Sequence, residues 1–439
     1  MSRYVRSLLS GGFVCLLLAF APASLYADDY SLDDLYRIAL SQSEQLKIAE
    51  ENVAIADIGT DRARSYLLPR LTAIGGVIQY SQKKFSDAGS VIQPETSSSW
   101  GGRIDQTLSL SGREITALGI SKQNVTRTRY DLTAIRENYI LQFVSAAYYN
   151  VLLARKNLEI ADANLERLTK YREAAEKRLR IGEVTRTVLL RAEGELSGAK
   201  SDQLQAKNGL ELAMAVLARN VGIKDAFSLR ETPLVESDVP PLASFTDEAF
   251  AVRSDLKSLE AQKKIAADQI RYAEGAYWPT VSFSGVYAGA DQYPSPGNLV
   301  RDSYYAGINL NFLLFEGGLR KADVSEARAR ERQAVLQYED LKKGIEIEVR
   351  STYLDLVTQK GILKFLNDQW VYARDNYRAV ARQFEFGLSN SLDVMDANTL
   401  LVSAERKAAS AAYNYQYALL AMKKATGTLL KQGATDKER

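Results

Sequence analysis

Apolar side chains recur every seven residues over long stretches of this chain. Val349, Leu356, Leu363, Trp370, Tyr377 and Phe384 form one row, with Thr352, Gln359, Leu366, Ala373 and Val380 as its companion. The same pattern stands 205 positions earlier, in Val144, Val151, Leu158, Leu165, Arg172 and Leu179 beside Ala147, Ala154, Ala161, Leu168 and Ala175. Only Arg172 breaks it. A sustained seven-residue repeat with small partners predicts a coiled-coil seam. A helix from Gly317 to Gly387 would be roughly 105 Å long, a rod rather than a globular element.

Other segments change period. Thr280, Ser282 and Ser284 alternate with Val281, Phe283, Gly285 and Tyr287, and Ile308, Leu310, Phe312 and Leu314 alternate with Asn309 and Asn311. Ile104, Leu108 and Leu110 alternate with Asp105, Thr107 and Ser109, whereas the run from Leu71 to Tyr80 alternates poorly. Strands are expected at about 70–80, 101–110, 280–290 and 303–315. Strands of roughly ten residues with one apolar and one polar face suit a tilted bilayer crossing. Tyr66, Tyr80, Trp100, Trp278, Tyr304 and Tyr305 fall near the expected strand ends, where membrane-interface aromatics belong. Four strands cannot close a barrel around water, and open edges are not tolerated in lipid. Several copies must pool their strands.

The nine prolines leave residues 95–232 and everything after 296 free to be helical. Between these stretches the chain repeats itself. Arg64-Ser65-Tyr66-Leu67-Leu68-Pro69-Arg70-Leu71 aligns with Glu274-Gly275-Ala276-Tyr277-Trp278-Pro279-Thr280-Val281 at an offset of 210, and Leu46 pairs with Leu256. Further on the offset is 205, through Gly112 and Gly317, Gly182 and Gly387, Ala192 and Ala397, Gly222 and Gly427. The first copy therefore has five extra residues between Pro69 and Gly112, which a loop accepts and a helix does not. The expected organisation is a first repeat at 28–224 with a long helix pair at 112–220, a linker at 225–245, a second repeat at 246–427 with a helix pair at 317–427, and a tail at 428–439.

The first 27 residues add a compartment. Arg3 and Arg6, an apolar run from Phe13 to Phe20, and Ala27 before Asp28-Asp29 predict a secretory signal peptide, with Ala23 a second candidate cleavage site. Cys15 could suggest a lipid-anchored start, but Val14 precedes it and most of the apolar run follows it, which argues against one. Cleavage removes the only cysteine and two of 56 basic side chains, leaving 54 against 54 acidic ones. A near-neutral chain offers no field for nucleic acid, and without cysteine no disulfide is available. There is no histidine, the commonest general base and metal ligand, so no metal site, cofactor or catalytic role is expected. Gly194-Glu195-Leu196-Ser197-Gly198-Ala199-Lys200-Ser201 lacks phosphate-loop spacing and reads as helix packing. No later run approaches the ~20 apolar residues of a membrane helix.

Helix pair, strand hairpin and long helix pair, all repeated once, resemble the TolC family of outer-membrane efflux proteins. The residues carrying the resemblance are Leu67-Leu68-Pro69-Arg70-Leu71, Ala147-Tyr148-Tyr149-Asn150-Val151-Leu152, Leu313-Leu314-Phe315-Glu316-Gly317-Gly318, and the run from Gly387 through Ser389, Asp393 and Asp396 to Ala397. It implies a mainly α fold with β: a helical coiled-coil duct in the periplasm and a twelve-stranded β-barrel pooled by a homotrimer in the outer membrane. It also implies docking, through a periplasmic adaptor, on an inner-membrane pump of RND or ABC type. The resemblance places Asp393 and Asp396 at the pore constriction; the plainer reading is that they favour a helix start. The Tyr and Arg that latch the tip in some members correspond here to Phe384 and Ser389. Arg186 and Arg191 are alternative partners for the aspartates, and the turns at Gly182 and Gly387 are candidate adaptor contacts. Small-molecule efflux and type I protein secretion are both consistent with such a duct. The rival readings are a periplasmic adaptor, which needs only one hairpin, and a structural coiled coil, which lacks lipid-facing strands.

Overall fold

The computed structural model describes residues 28–231, 239–297 and 299–430. The signal-peptide expectation lies outside these residues, as do part of the linker and most of the tail. The first half runs β1 (Asp28–Tyr30), α1 (Leu32–Gln42), α2 (Glu44–Ser65), β2 (Arg70–Gln79), β3 (Lys84–Phe85), β4 (Val91–Gln93), β5 (Thr96–Ser109), α3 (Arg113–Tyr139), α4 (Ala146–Arg180) and α5 (Arg186–Val221). After β6 (Phe227–Leu229) the second runs α6 (Leu242–Val252), α7 (Ser254–Glu274), β7 (Thr280–Tyr293), β8 (Asp302–Asn311), α8 (Leu319–Glu385) and α9 (Ser391–Ala425).

α8, 67 residues long, is about 100 Å of proline-free helix. In its seven-residue row Val349, Leu356 and Phe384 are buried and Leu363, Trp370 and Tyr377 half-buried. The sequence pattern predicts a long continuous helix in the first half as well, but the matching helix there is interrupted. A π-helical turn, Ile140–Ser145, separates α3 from α4. There the buried Ser145 hydroxyl donates to the Ile140 carbonyl at 2.9 Å and meets the Tyr36 hydroxyl at 2.7 Å. A side chain that bonds back to its own helix and to α1 widens the turn locally. Arg172, the break in the first row, is half-buried because Glu176 and Glu193 pair with it at 2.6 and 3.5 Å.

Two apolar cores lie midway along the helices. One gathers Leu35, Leu46, Ile140, Val144, Tyr148, Leu152, Leu217 and Val221; the other gathers Ala249, Leu256, Ile345, Val349, Leu356, Tyr415 and Met422. β1 pairs in parallel with β6, tying the start of the described chain to the segment that follows the first repeat. Where α6 meets α7, Arg253 is 5% exposed and bonds Asp255, Glu348 and the Ala425 carbonyl at 2.6, 2.7 and 3.0 Å. Lys424 also reaches Glu348, at 2.7 Å. Burial pushes the Asp255 carboxyl up, but hydrogen bonding and charge from Arg253 outweigh it and hold it below the usual carboxylate range. For Glu348 burial is likewise outweighed, by Lys424 and Arg253.

The main sheet is antiparallel in the order β2-β5-β7-β8. β5 begins at Thr96, earlier than the alternation suggested, because its ladder with β7 runs from Thr96↔Tyr293 to Ser109↔Thr280. β8 stops at Asn311 rather than near 315: its partner β7 starts at Thr280, and the preceding Pro279 has no N–H to extend the ladder. The poorly alternating run from Leu71 does form a strand, held in register by β5. The extra residues of the first copy sit in the connection 80–95, which carries β3 and β4, against 294–301 in the second copy.

Candidate functional site

Residues paired across an antiparallel sheet share a face, and successive residues alternate. The registers therefore sort every strand position. One face carries Leu71, Ala73 and Val77; Trp100, Ile104 and Leu108; Val281, Phe283 and Tyr287; and Tyr304, Ile308 and Leu310. Gln106 lies among them, and the other polar residues of that face, Gln79, Thr96, Ser98, Asp291 and Asp302, stand at the end far from the helices. The other carries hydroxyls, amides and a few charges: Thr72, Ser97, Ser99, Arg103, Asp105, Thr107, Ser282, Ser284, Asn309 and Asn311. Both outer strands, β2 and β8, have an unpaired edge. One apolar wall, one polar wall and two free edges describe a segment of a barrel.

Trp100 lies on the apolar face between Gly75 and Gly289, and any side chain at Gly289 would collide with its indole. Tyr304 shares that face and is 87% exposed. Tyr80 follows β2 at the end far from the helices, and exposed Trp278 precedes β7 at the helix-proximal end. Tyr305 corrects the expectation. It is paired with Val286, in the same rung as Arg103, so it stands on the polar face, opposite to Tyr304.

The other end of the molecule is the pair of hairpin tips. Gly182 and Gly387 take φ values of 80° and 72°, which glycine adopts without strain. In each turn the glycine N–H and the following N–H return to carbonyls of the last helical turn: Gly182 to Leu179, Glu183 to Arg178, Gly387 to Phe384, Leu388 to Gln383. Ile181, Phe386 and Leu388 are left exposed on the turns.

Phe384, expected at the tip turn as an adaptor contact, instead lies in the last turn of α8, buried in a cluster with Leu168, Tyr171, Ala175, Ala192, Val394 and Met395. Its ring centroid lies 5.4 Å from that of Tyr171. Arg178 of α4 stacks 4.5 Å over the Phe384 ring and donates to the Phe384 and Glu385 carbonyls at 3.0 and 2.9 Å. Those carbonyls end α8 and lack the i+4 partner of a continuing helix, the Phe384 one taking only the Gly387 N–H besides, so a guanidinium there is favoured by both hydrogen bonding and the helix dipole. Arg178 thus joins the two hairpins at the tip. Nothing in the seven-residue pattern marked it. A polar layer above it was also missed: Asn398 of α9 donates to Asn164 of α4 at 2.8 Å, and Arg167 donates to Asn398 at 3.1 Å. Burial raises the Tyr171 hydroxyl above its ordinary value, although Ser391, Arg191 and Arg178 act the other way.

Asp393 closes a capping box at the start of α9. Asn390 accepts from the Leu392 and Asp393 N–H groups at 2.8 and 3.0 Å, and Asp393 accepts from the Asn390 N–H at 3.2 Å and the Ser389 hydroxyl at 3.1 Å. Asp393 and Asp396 are both exposed, opposite the buried Val394, Ala397 and Asn398. Neither forms an ion pair with Arg186 or Arg191 within the chain, and no ion pair involves these four among the described residues. Among the described residues no group of three or more Asp, Glu, His or Cys could hold a metal ion, and no helix is long and apolar enough to cross a membrane.

A four-stranded antiparallel sheet with one apolar and one polar face, set on a rod of paired helices that ends in two tight turns, is the architecture of a membrane channel protein with a long helical part. A sequence profile described as "Outer membrane efflux protein" matches residues 35–222 and 246–428, and the chain belongs to that family. Among its relatives, outer membrane protein TolC of Salmonella enteritidis is 25% identical, over 94% of this chain and 85% of its own length. The alkaline protease secretion protein AprF of Pseudomonas aeruginosa is 24% identical, over 94% and 86%. The crystal structure of the Campylobacter jejuni CmeC outer membrane channel superposes with a TM-score of 0.78 at 17% identity, covering 93% of this chain and 88% of that one. The protein is an outer-membrane exit channel of a tripartite export system, its helical part in the periplasm, and as a member of a channel family it is not an enzyme.

Proposed function

We propose that three copies pool their sheets into one twelve-stranded barrel over a common helical tunnel. The observation that carries this reading is the four-stranded sheet with two faces of opposite polarity and both edges open. Twelve strands from three copies remove every edge from lipid. The exposed turns at Ile181–Gly182 and Phe386–Gly387–Leu388, with Arg186, Arg191 and Ser389, meet a periplasmic adaptor, which links the duct to an inner-membrane pump of RND or ABC type. Asp393 and Asp396 of three copies ring the aperture and favour cations.

Cysteine pairs test the assembly, since the exported chain carries none. Cysteine at Ile74 on β2 is scanned against cysteine at Ser303, Gly307 or Asn309 on β8, all on the polar face. A disulfide ladder ending at the trimer is expected in one register; a ladder ending at the dimer, or no ladder in any register, removes the proposal. For the aperture, Asp396→Ala should raise conductance and weaken cation preference without disturbing the α9 cap, which Asp393 alone closes. Unchanged conductance and selectivity would exclude the gate.

A further inference from the structure

Among the residues paired in the sheet, the polar wall is charged at one level; Glu95 and Arg301 adjoin it only beyond its far end. Two adjacent rungs, Arg70–Asp105–Ser284–Gly307 and Thr72–Arg103–Val286–Tyr305, hold the ionised side chains of those paired positions. Every other position of that face is Ser, Thr, Asn, Gln, Gly, Ala or Ile. Arg103 donates through Nε to Asp105 at 2.8 Å and is still 57% exposed. Arg70, directly across from Asp105, is exposed and forms no ion pair among the described residues. Two guanidiniums against one carboxylate leave each copy with a net positive charge at this level. A guanidinium presents a planar fork that matches carboxylate and phosphate oxygens. Tyr305, in the rung of Arg103, adds a hydroxyl donor to the same level.

We propose that Arg70 and Arg103 form an anion-binding belt inside the barrel, holding carboxylate- or phosphate-bearing solutes as they leave. The belt rests on the closed-barrel reading above, which turns this face toward the lumen. The belt lies in the helix-proximal part of the sheet, since Arg70 opens β2 directly after α2, and it has the charge preference opposite to that of the acidic tip. Solutes with anionic groups are retained where they enter the barrel, and small cations are not.

The test uses the purified full-length channel in planar bilayers near 0.01 M KCl, where the Debye length is ~30 Å and the belt is least screened. The reversal potential in a salt gradient is measured, together with block by inorganic pyrophosphate added on the barrel side. Arg70→Gln with Arg103→Gln should lower the chloride-to-potassium permeability ratio by at least ~2-fold and abolish the block. Asp105→Asn should raise the ratio and strengthen the block. Both variants break the Arg103–Asp105 pair, so opposite shifts report charge and not loss of that contact. Unchanged ratio and block in variants that conduct like the wild type would overturn the belt alone. A wild-type chain that forms neither conducting channels nor the trimer ladder would overturn the barrel, and the belt with it.

Discussion

At the periplasmic tip, the turn from α4 to α5 and the turn from α8 to α9 share one backbone, with glycine at φ 80° and 72° and the same pair of returning N–H groups. Their chemistry differs. α9 opens on the Asn390–Asp393 capping box, with an acidic first turn. α5 opens on Thr185, which makes no side-chain cap bond and meets the Thr187 hydroxyl at 2.6 Å instead, and its first residue is Arg186. A cation at a helix start works against the dipole and an anion works with it. Duplication kept the geometry, which needs only glycine and loop length, and left the charge free to diverge. The same holds midway along the duct. Gly222 and Gly427 both end their helices at positive φ, but Gly222 packs on Gln42 and Gly427 on the buried, ion-paired Arg253.

The largest expected effect separates these two midpoints. Arg253→Ala should destabilise the protein by about 2–3 kcal/mol, toward the low end because Asp255 and Glu348 remain about a third exposed. Ser43→Ala, at the matching position, should cost under about 1 kcal/mol, because the Ser43 side chain makes no cap bond. Equal losses in denaturant titrations would erase the comparison.

At the tip, Arg178→Ala removes two charge-assisted bonds to the end of α8 and should cost about 2 kcal/mol locally. Amide exchange should accelerate in the last turn of α8 while the barrel is unchanged. Uniform protection there would mean that the Tyr171–Phe384 contact suffices alone.

Next in size is the cap. Asn390→Ala should fray α9 at a cost of about 1 kcal/mol, and Thr185→Ala should cost a few tenths at most. Matching exchange rates at the two helix starts would show the caps to be equivalent.

The smallest effect lies on the pH axis. Asp255 and Glu348 are depressed in the folded state, so their stabilisation is complete above the ordinary carboxylate value of ~4 and is lost as pH falls through their folded values. The melting temperature should therefore drop in acid, and Arg253→Ala should flatten that limb. An identical acid limb in the variant would place the titrating groups elsewhere.

By itself the sequence determined the duplication, the rod of seven-residue seams, the strands and the two tip turns. Each is a local pattern: spacing of apolar residues, absence of proline, glycine where positive φ is required. Strand ends were less legible, since β5 and β8 stop where their partners stop, and pairing is not written in either strand alone. Tertiary structure decided what depends on residues far apart in the chain. Tyr304 and Tyr305 look alike in sequence, yet the register puts one on the apolar face and the other in the rung of Arg103. The cap that Asp393 closes with Asn390 is likewise a matter of folded geometry, since the bond joins its carboxylate to the Asn390 N–H across the helix start. Arg178, Arg253 and the pair Asn164 and Asn398 carried no periodic signal, because a charged or polar side chain gains its role from a partner that only folding supplies.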